Sequence, residues 1–373
     1  MKKLLTYILC FAMLTSAAAT TAACSGKDPA NTETSNTSVS SEADQTATDA
    51  TEETDATDDT NATDSTQNTE NQKWFTFNPK VTSQFMLDVY GQAKVDAWNS
   101  LVDAVIAGED SFECVDKHTY LWMMADFPDR YFPVLNDIVK TPDNYLDITV
   151  NGTAPIEYKV PKEEAARMIE DFKQIVEDII NRNVRPEYND FEKALALYNY
   201  FAETYVYDWD TASQVESSPS AVNYTEAYRL LKTKTGICCE ISKAYSYLLM
   251  QLGMEATTVT EGKHEWSFIK LNGNYYHVDP TWVLEDWYSL NYFLMTDDHR
   301  HDQGGYDPSK FVYVGDYHLD ETPDYSASDD SFSSMWNCHV TSFDPETKTL
   351  EYTTFDDAGN VISGTFDYSQ YCN

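Results

Sequence analysis

The stretch that decides the fold is TGICCEISKAYSYLLMQLG, residues 235–253, where two cysteines precede a helical pattern. Apolar side chains recur here at the spacing of one helix face. They are Ile241, Ala244, Tyr245, Leu248, Leu249 and Leu252. Because Gly253 supplies a C-terminal stop, the pattern predicts a helix that begins at or just after Cys238 and Cys239.

A helix start is a favourable place for a reactive thiol. Its unpaired N–H groups and the positive end of the helix dipole favour the thiolate, and the same N–H groups can hold a developing oxyanion. Gly236, just upstream, permits the backbone to approach a substrate closely. The stretch therefore indicates a cysteine nucleophile, with the other thiol as a small buried or half-buried residue. A disulfide between the two neighbours is the strained alternative.

A hairpin follows in residues 256–282, ATTVTEGKHEWSFIKLNGNYYHVDPTW. Its Asn272-Gly273 step is typical of a two-residue turn between antiparallel strands. Such a turn makes Trp266 the partner of Asp279. His264 and Asp279 then lie on one face of the sheet as diagonal neighbours, roughly 7 to 8 Å apart at the backbone.

A thiol, an imidazole and a carboxylate are what a cysteine nucleophile needs, because the base takes the thiol proton and the acid orients the base. His264 alone could be a structural histidine, and Asp279 could only shape the Asp-Pro-Thr turn. A zinc site built from Cys238, Cys239, His264 and His277 is disfavoured, since adjacent residues rarely converge on one metal. We therefore expect no metal ion and no organic cofactor.

These motifs resemble the transglutaminase-like superfamily, whose members share a papain-like cysteine-enzyme fold. The resemblance rests on GIC before KAYSYLLMQLG, then HEW, NGNYYHVDPTW and NYFLMTDD in that order, with VYD upstream, and it covers roughly residues 192–298. It implies that Cys238 is the nucleophile, His264 the base and Asp279 the residue that orients the base.

One position departs from the family pattern, in which an acidic residue often follows the nucleophile directly. Here Cys239 intervenes and Glu240 comes one residue later. The spacing from Cys238 to the Lys243-Ala244-Tyr245 segment favours Cys238 as the nucleophile over Cys239.

The N-terminus carries an export signal. Two lysines precede an apolar run, and small residues end at Ala22-Ala23-Cys24, an ending that resembles the bacterial lipoprotein signal. The resemblance implies that residues 1–23 are removed and that Cys24 carries a lipid. Thr21 replaces the leucine usual at its position, so ordinary secretion is the alternative. We expect the protein at the outer face of the cytoplasmic membrane or the cell surface.

Residues 24–72 are rich in Thr, Asp and Ser and contain no aromatic residue, which predicts a disordered acidic tether. The net charge of the whole chain is -37. Like charges repel, so nucleic acid and anionic membrane surfaces are poor partners, and the membrane is contacted by the lipid anchor only. The expected partner is a protein or peptide substrate at the cell surface.

The folded part is predicted to be α+β. A mainly helical N-terminal region spans residues 73–188, with a hairpin at Asn151-Gly152. The transglutaminase-like catalytic core follows at residues 189–310, with the nucleophile at a helix N-terminus packed on an antiparallel sheet. Residues 311–373 are predicted as a β-rich extension with a hairpin near its end.

Several remaining cysteines and histidines lie outside the triad. Cys338 and Cys372 could clamp the C-terminal segment by a disulfide, and Cys114 could compete for either partner. His299 and His301 stand among acidic residues, so we expect both to face solvent.

The sequence therefore predicts an enzyme in which Cys238 attacks an amide carbonyl and forms a thioester. Attack of water on this thioester would make the protein a peptidase or amidase. Attack of an amine would make it a cross-linking acyltransferase. The alternative is a surface binding module that keeps the fold without turnover, although such a module requires none of the three triad residues.

Overall fold

A computed structural model of the chain describes residues 73–141, 148–217, 226–284, 286, 288–304, 307 and 324–372. The predicted signal peptide, the predicted lipid site Cys24 and the predicted tether lie outside these residues. The described residues all belong to one compact unit. In the described part of the chain, no helix is long and apolar enough to cross a membrane.

The described residues form both helices and strands. The helices are α1 (Gln84–Tyr90), α2 (Gln92–Ala107), α3 (Lys117–Tyr131), α4 (Leu135–Ile138), α5 (Lys162–Asn183), α6 (Asp190–Thr204), α7 (Trp209–Ser217), α8 (Ala227–Thr233), α9 (Cys238–Gln251) and α10 (Asp297–Gly304). The strands are β1 (Ser111–Cys114), β2 (Gly152–Pro155), β3 (Val206–Tyr207), β4 (Thr235–Gly236), β5 (Ala256–Glu261), β6 (His264–Leu271), β7 (Asn274–Val278), β8 (His339–Asp344), β9 (Thr349–Phe355) and β10 (Val361–Asp367).

The N-terminal region is mainly helical, and its helix ends follow local signals. Gly108 ends α2 in the left-handed conformation at φ 69°, as the sequence predicts. The side chain of Asp116 caps α3 by accepting from Thr119 N at 2.7 Å. In α5, the ring of Phe172 lies 5.4 Å from Tyr228 and 5.6 Å from Tyr247, so this region shares its core with α8 and α9.

The predicted hairpin at Asn151-Gly152 is wrong. Strand β2 pairs with β1 instead, and Phe112 faces Ala154, both of them buried. Residues 148–150 form no strand and are half-buried or exposed, while residues 142–147 lie outside the described part. Pairing of β2 with β1 is favoured because it buries apolar side chains on both strands. Pairing with residues 148–150 would not do so.

Helix α9 packs on an antiparallel sheet of order β5-β6-β7. Two serine hydroxyls link helix and sheet, since Ser246 Oγ donates to Thr257 O at 2.9 Å and Ser267 Oγ donates to Ser242 O at 3.0 Å. Across β6 and β7, Ser267 faces Val278. This register confirms the one that the Asn272-Gly273 turn predicts.

The C-terminal segment forms a separate sheet of order β10-β9-β8. The predicted terminal hairpin is confirmed by the pairing of β9 with β10, and β8 adds a third strand. Lys348 and Tyr368 anchor this sheet on α6, because both donate to Glu192 Oε1, at 3.0 and 2.7 Å. The Glu192 side chain is fully buried, so the segment is tied firmly to the core.

The cysteines of the described residues are free thiols, and the disulfide considered between Cys338 and Cys372 is not formed. The thiol of Cys338 donates to Ser334 O and that of Cys372 to Tyr368 O. Burial raises the pKa of both thiols, so they behave as small apolar residues.

Candidate active site

Cys238 is the first residue of α9, and Ile237 before it is extended. The cysteine is 8% exposed, so it is buried but not completely enclosed. Sγ lies 3.9 Å from the carbonyl oxygen of Lys263, the residue that precedes His264. The predicted helix start is therefore confirmed, and it brings the thiol to the beginning of β6.

A buried carboxylate closes the start of this helix. Glu240 Oε2 accepts from Ile237 N at 2.8 Å, and Arg229 binds both carboxylate oxygens, at 2.7 and 2.5 Å. Burial raises the pKa of Glu240, while the bonds from Arg229 and Ile237 oppose that rise. Arg229 also donates to Asp208 at 3.0 Å, so one guanidinium joins the VYD motif to the helix that begins at Cys238.

Gly236 has a different role from the predicted one. A Cβ on this residue would lie 2.7 Å from Leu230 Cδ1 and 2.8 Å from Glu240 Oε2. The space beside Gly236 is thus occupied by the carboxylate that closes the helix, and the glycine is needed for that approach rather than for substrate.

His264 and Asp279 are in direct contact, with Nε2 2.5 Å from Oδ2. Asp279 is fully buried, and its second oxygen accepts from the backbone N–H groups of Thr281 and Trp282 at 3.0 and 3.3 Å. The turn that Asp279 shapes therefore also fixes the carboxylate that meets the imidazole. With Nε2 bound to Asp279, Nδ1 is the nitrogen left for the thiol.

The environment of His264 favours the imidazolium. Burial lowers its pKa, but the charge and hydrogen bond of Asp279, together with interaction with the Cys238 thiol, raise it to about 10. A protonated imidazole beside the thiol stabilises a thiolate, so the site is suited to an ion pair of thiolate and imidazolium.

Two indole rings hold the imidazole of His264. It stacks on Trp282 with centroids 5.1 Å apart and planes at 8°, and on Trp266 at 5.8 Å and 20°. Beside Trp282 lies a cavity of about 240 Å³, lined also by Asp286, Tyr292 and Gln303. The site therefore has rigid aromatic walls and an adjoining space for part of a substrate.

Cys239 lies in a different environment. It is half-buried, and its neighbours include the charged groups of Lys243 and Glu265. Burial raises the pKa of the Cys239 thiol well above its usual range, so this thiol is neutral. Its half-buried position agrees with the small buried or half-buried residue that the sequence predicts.

His277 forms hydrogen bonds with two side chains outside the candidate triad. Its Nδ1 accepts from Trp266 Nε1, and its Nε2 lies 2.9 Å from Asp297 Oδ1. Both ring nitrogens are therefore occupied, which removes His277 from the zinc site considered above. Within the described ranges, no group of three or more His, Cys, Asp or Glu side chains is arranged to hold a metal ion.

The prediction that His299 faces solvent is wrong. Its ring is half-buried and stacks on Trp336 with centroids 3.7 Å apart, and its Nε2 lies 2.9 Å from Asn291 O. His301, by contrast, is exposed as predicted. Trp336 is 37 positions away in sequence, too far for a local pattern to reveal the contact.

Sequence reasoning missed Tyr207. The parallel pairing of β3 with β4 sets Tyr207 opposite Gly236, and its ring meets Trp209 at 4.6 Å. Burial raises the pKa of Tyr207, and the nearby thiols of Cys238 and Cys239 raise it further. The VYD motif marked this segment in the sequence, but its spacing does not show which strand the segment pairs with.

Residues 177–290 match the family model of the transglutaminase-like superfamily. The matched segment begins within α5, ends before α10 and contains Cys238, His264 and Asp279. The chain therefore carries a transglutaminase-like domain within a mixed helix and sheet structure. No curated protein matches the chain at a significant level.

Proposed function

We propose that the protein is a surface-anchored cysteine enzyme that acts on amide bonds of proteins or peptides. Cys238 is the nucleophile, His264 the proton carrier and Asp279 the residue that orients His264. The observation that carries the proposal is the 2.5 Å contact between His264 Nε2 and Asp279 Oδ2, at the end of β6 that lies beside the first residue of α9.

The reaction has two steps. The Cys238 thiolate attacks the amide carbonyl, the carbon–nitrogen bond breaks, and the imidazolium of His264 gives its proton to the departing amine. Water or a second amine then attacks the thioester, His264 takes a proton from it, and the thiolate leaves. Backbone N–H groups at the start of α9 are the donors available to the oxyanion in both steps.

The experiment that tests this function follows ammonia release from a glutamine-containing peptide, with and without a fluorescent primary amine. Ammonia in both cases with no amine conjugate identifies hydrolysis, and a conjugate identifies acyl transfer. Cleavage of the peptide backbone, read by mass spectrometry, identifies a peptidase, which releases no ammonia. A binding module that keeps the fold would release no ammonia and would leave the peptide uncleaved under either condition.

The location of the enzyme is part of the proposal. We expect Cys24→Ala to move the protein from the membrane fraction to the culture medium, because the lipid on Cys24 is the proposed anchor. The matched control is Cys10→Ala, which changes a cysteine that leaves with the signal peptide. Membrane retention of Cys24→Ala, measured by immunoblot of the two fractions, would contradict lipid anchoring.

A further inference from the structure

A second buried histidine and carboxylate pair lies behind the candidate triad. His277 on β7 is fully buried, with Nε2 2.9 Å from Asp297 Oδ1. Its other ring nitrogen accepts from Trp266 Nε1 at 2.9 Å. These hydrogen bonds run from α10 through the sheet to the indole ring that stacks on His264.

The indole determines the tautomer of His277. Since an indole N–H only donates, Nδ1 of the histidine must accept, and the ring proton must be on Nε2, from which it is donated to Asp297. Burial lowers the pKa of His277, although the hydrogen bond and charge of Asp297 oppose this. The ring is therefore neutral, and only a neutral ring can accept from Trp266.

Asp297 is itself held firmly at the start of α10. Its Oδ2 accepts from Ala327 N at 3.1 Å, and its own N–H donates to Ala327 O at 2.8 Å. One turn later, the guanidinium carbon of Arg300 lies 4.0 Å from the ring centroid of Trp266 and 4.3 Å from that of Trp282. Helix α10 thus braces both rings against which His264 stacks.

We infer that His277 is a positioning residue for His264 and acts through Trp266. Its hydrogen bond keeps the indole from rotating, and the indole face then limits the tilt of the imidazole. An imidazole held in one plane keeps Nε2 on Asp279 and Nδ1 directed to the thiol. The inference deepens the proposed function, on which it rests for the reaction that benefits.

The test compares two substitutions of His277. In His277→Phe a phenyl ring replaces the imidazole and cannot accept the hydrogen bond from Trp266. We therefore expect kcat for the glutamine peptide to fall about tenfold, with KM within about twofold of the wild-type value. Alkylation of Cys238 by iodoacetamide at pH 6 should slow by a similar factor. His277→Gln can accept from Trp266 and donate to Asp297, so it should keep at least about half of both rates.

A third variant, Trp266→Phe, removes the indole N–H and tests whether His277 acts through Trp266. The double variant with Trp266→Phe and His277→Phe should have a kcat within about twofold of that of Trp266→Phe alone. The hydrogen bond between the indole and His277 is already absent in the single variant. If His277→Phe fails to fold by circular dichroism, the comparison of Trp266→Phe with the wild type carries the test, with the same tenfold loss expected.

Wild-type kcat and alkylation rates in folded His277→Phe, or in Trp266→Phe, would overturn the inference. An equal loss in His277→Gln and His277→Phe would also overturn it, since the role would then be packing alone. If the wild type neither releases ammonia nor cleaves the peptide but alkylation still slows in His277→Phe, the proposed function fails while the positioning role stands.

Discussion

Replacement of Cys238 by alanine is expected to abolish turnover of the glutamine peptide, with a loss of about 10⁴-fold or more. The thioester cannot form without the thiol, because no other group beside His264 replaces it as the nucleophile. The measurement is the initial rate of ammonia release at substrate concentrations above KM, with folding checked by circular dichroism.

The matched control is Cys239→Ala, which removes the same group one residue later. Burial keeps the Cys239 thiol neutral, so its loss should leave kcat within about threefold of the wild type. A large loss in Cys239→Ala with activity retained in Cys238→Ala would reverse the assignment of the two cysteines.

Replacement of Asp279 by asparagine should lower kcat by about 10²- to 10⁴-fold. The carboxylate at 2.5 Å holds the imidazole in one orientation and stabilises its charge, and an amide provides neither the charge nor a fixed acceptor. The control is Asp103→Asn, because Asp103 is an exposed carboxylate on α2 that pairs with Lys80 at 2.8 Å and contacts no residue of the candidate site. Its kcat should be unchanged within about twofold.

Asp279→Asn should also shift the dependence of kcat on pH. Asp279, together with a smaller effect of the Cys238 thiol, raises the pKa of His264 to about 10, so the wild type keeps the imidazolium needed to protonate the leaving amine throughout the neutral range. Without the carboxylate that pKa falls toward its ordinary value of about 6.5, and the alkaline limb of the profile moves to lower pH. An unchanged alkaline limb in Asp279→Asn would show that this carboxylate does not control the charge of His264.

Local sequence signals predicted much of the candidate site. The apolar spacing and Gly253 located the helix whose first residue is Cys238, and the Asn272-Gly273 turn determined the register of β6 and β7. That register alone brought His264 and Asp279 to one face of the sheet. Each of these features depends on residues close in sequence, which is why a pattern could reveal them; the catalytic roles themselves stay predictions.

Long-range pairing could not be predicted in the same way. The segment after Asn151 pairs with β1, although the turn signal favoured its immediate neighbour. Gly236 was assigned to the substrate because the sequence does not show that Glu240 reaches back to Ile237 and fills that space. Such contacts depend on tertiary packing, which overrides local preference.

The contacts that brace His264 also depend on tertiary packing and could not be predicted from local sequence. His277 was considered only as a zinc ligand, and Arg300 was not considered, because it lies two residues beyond NYFLMTDD, the last of the motifs that carry the resemblance. Their contacts with Trp266 join elements that are separate in sequence. A single sequence contains no record of which buried aromatic ring such side chains will meet.

The most direct test of the central claim is the rate at which iodoacetamide alkylates each cysteine of the wild-type protein at pH 6, read by peptide mass spectrometry. If an imidazolium held by Asp279 ionises the thiol, Cys238 alone should react, roughly 10- to 100-fold faster than free cysteine. Alkylation of Cys238 no faster than that of free cysteine, or spread equally over Cys238 and Cys239, would contradict the account.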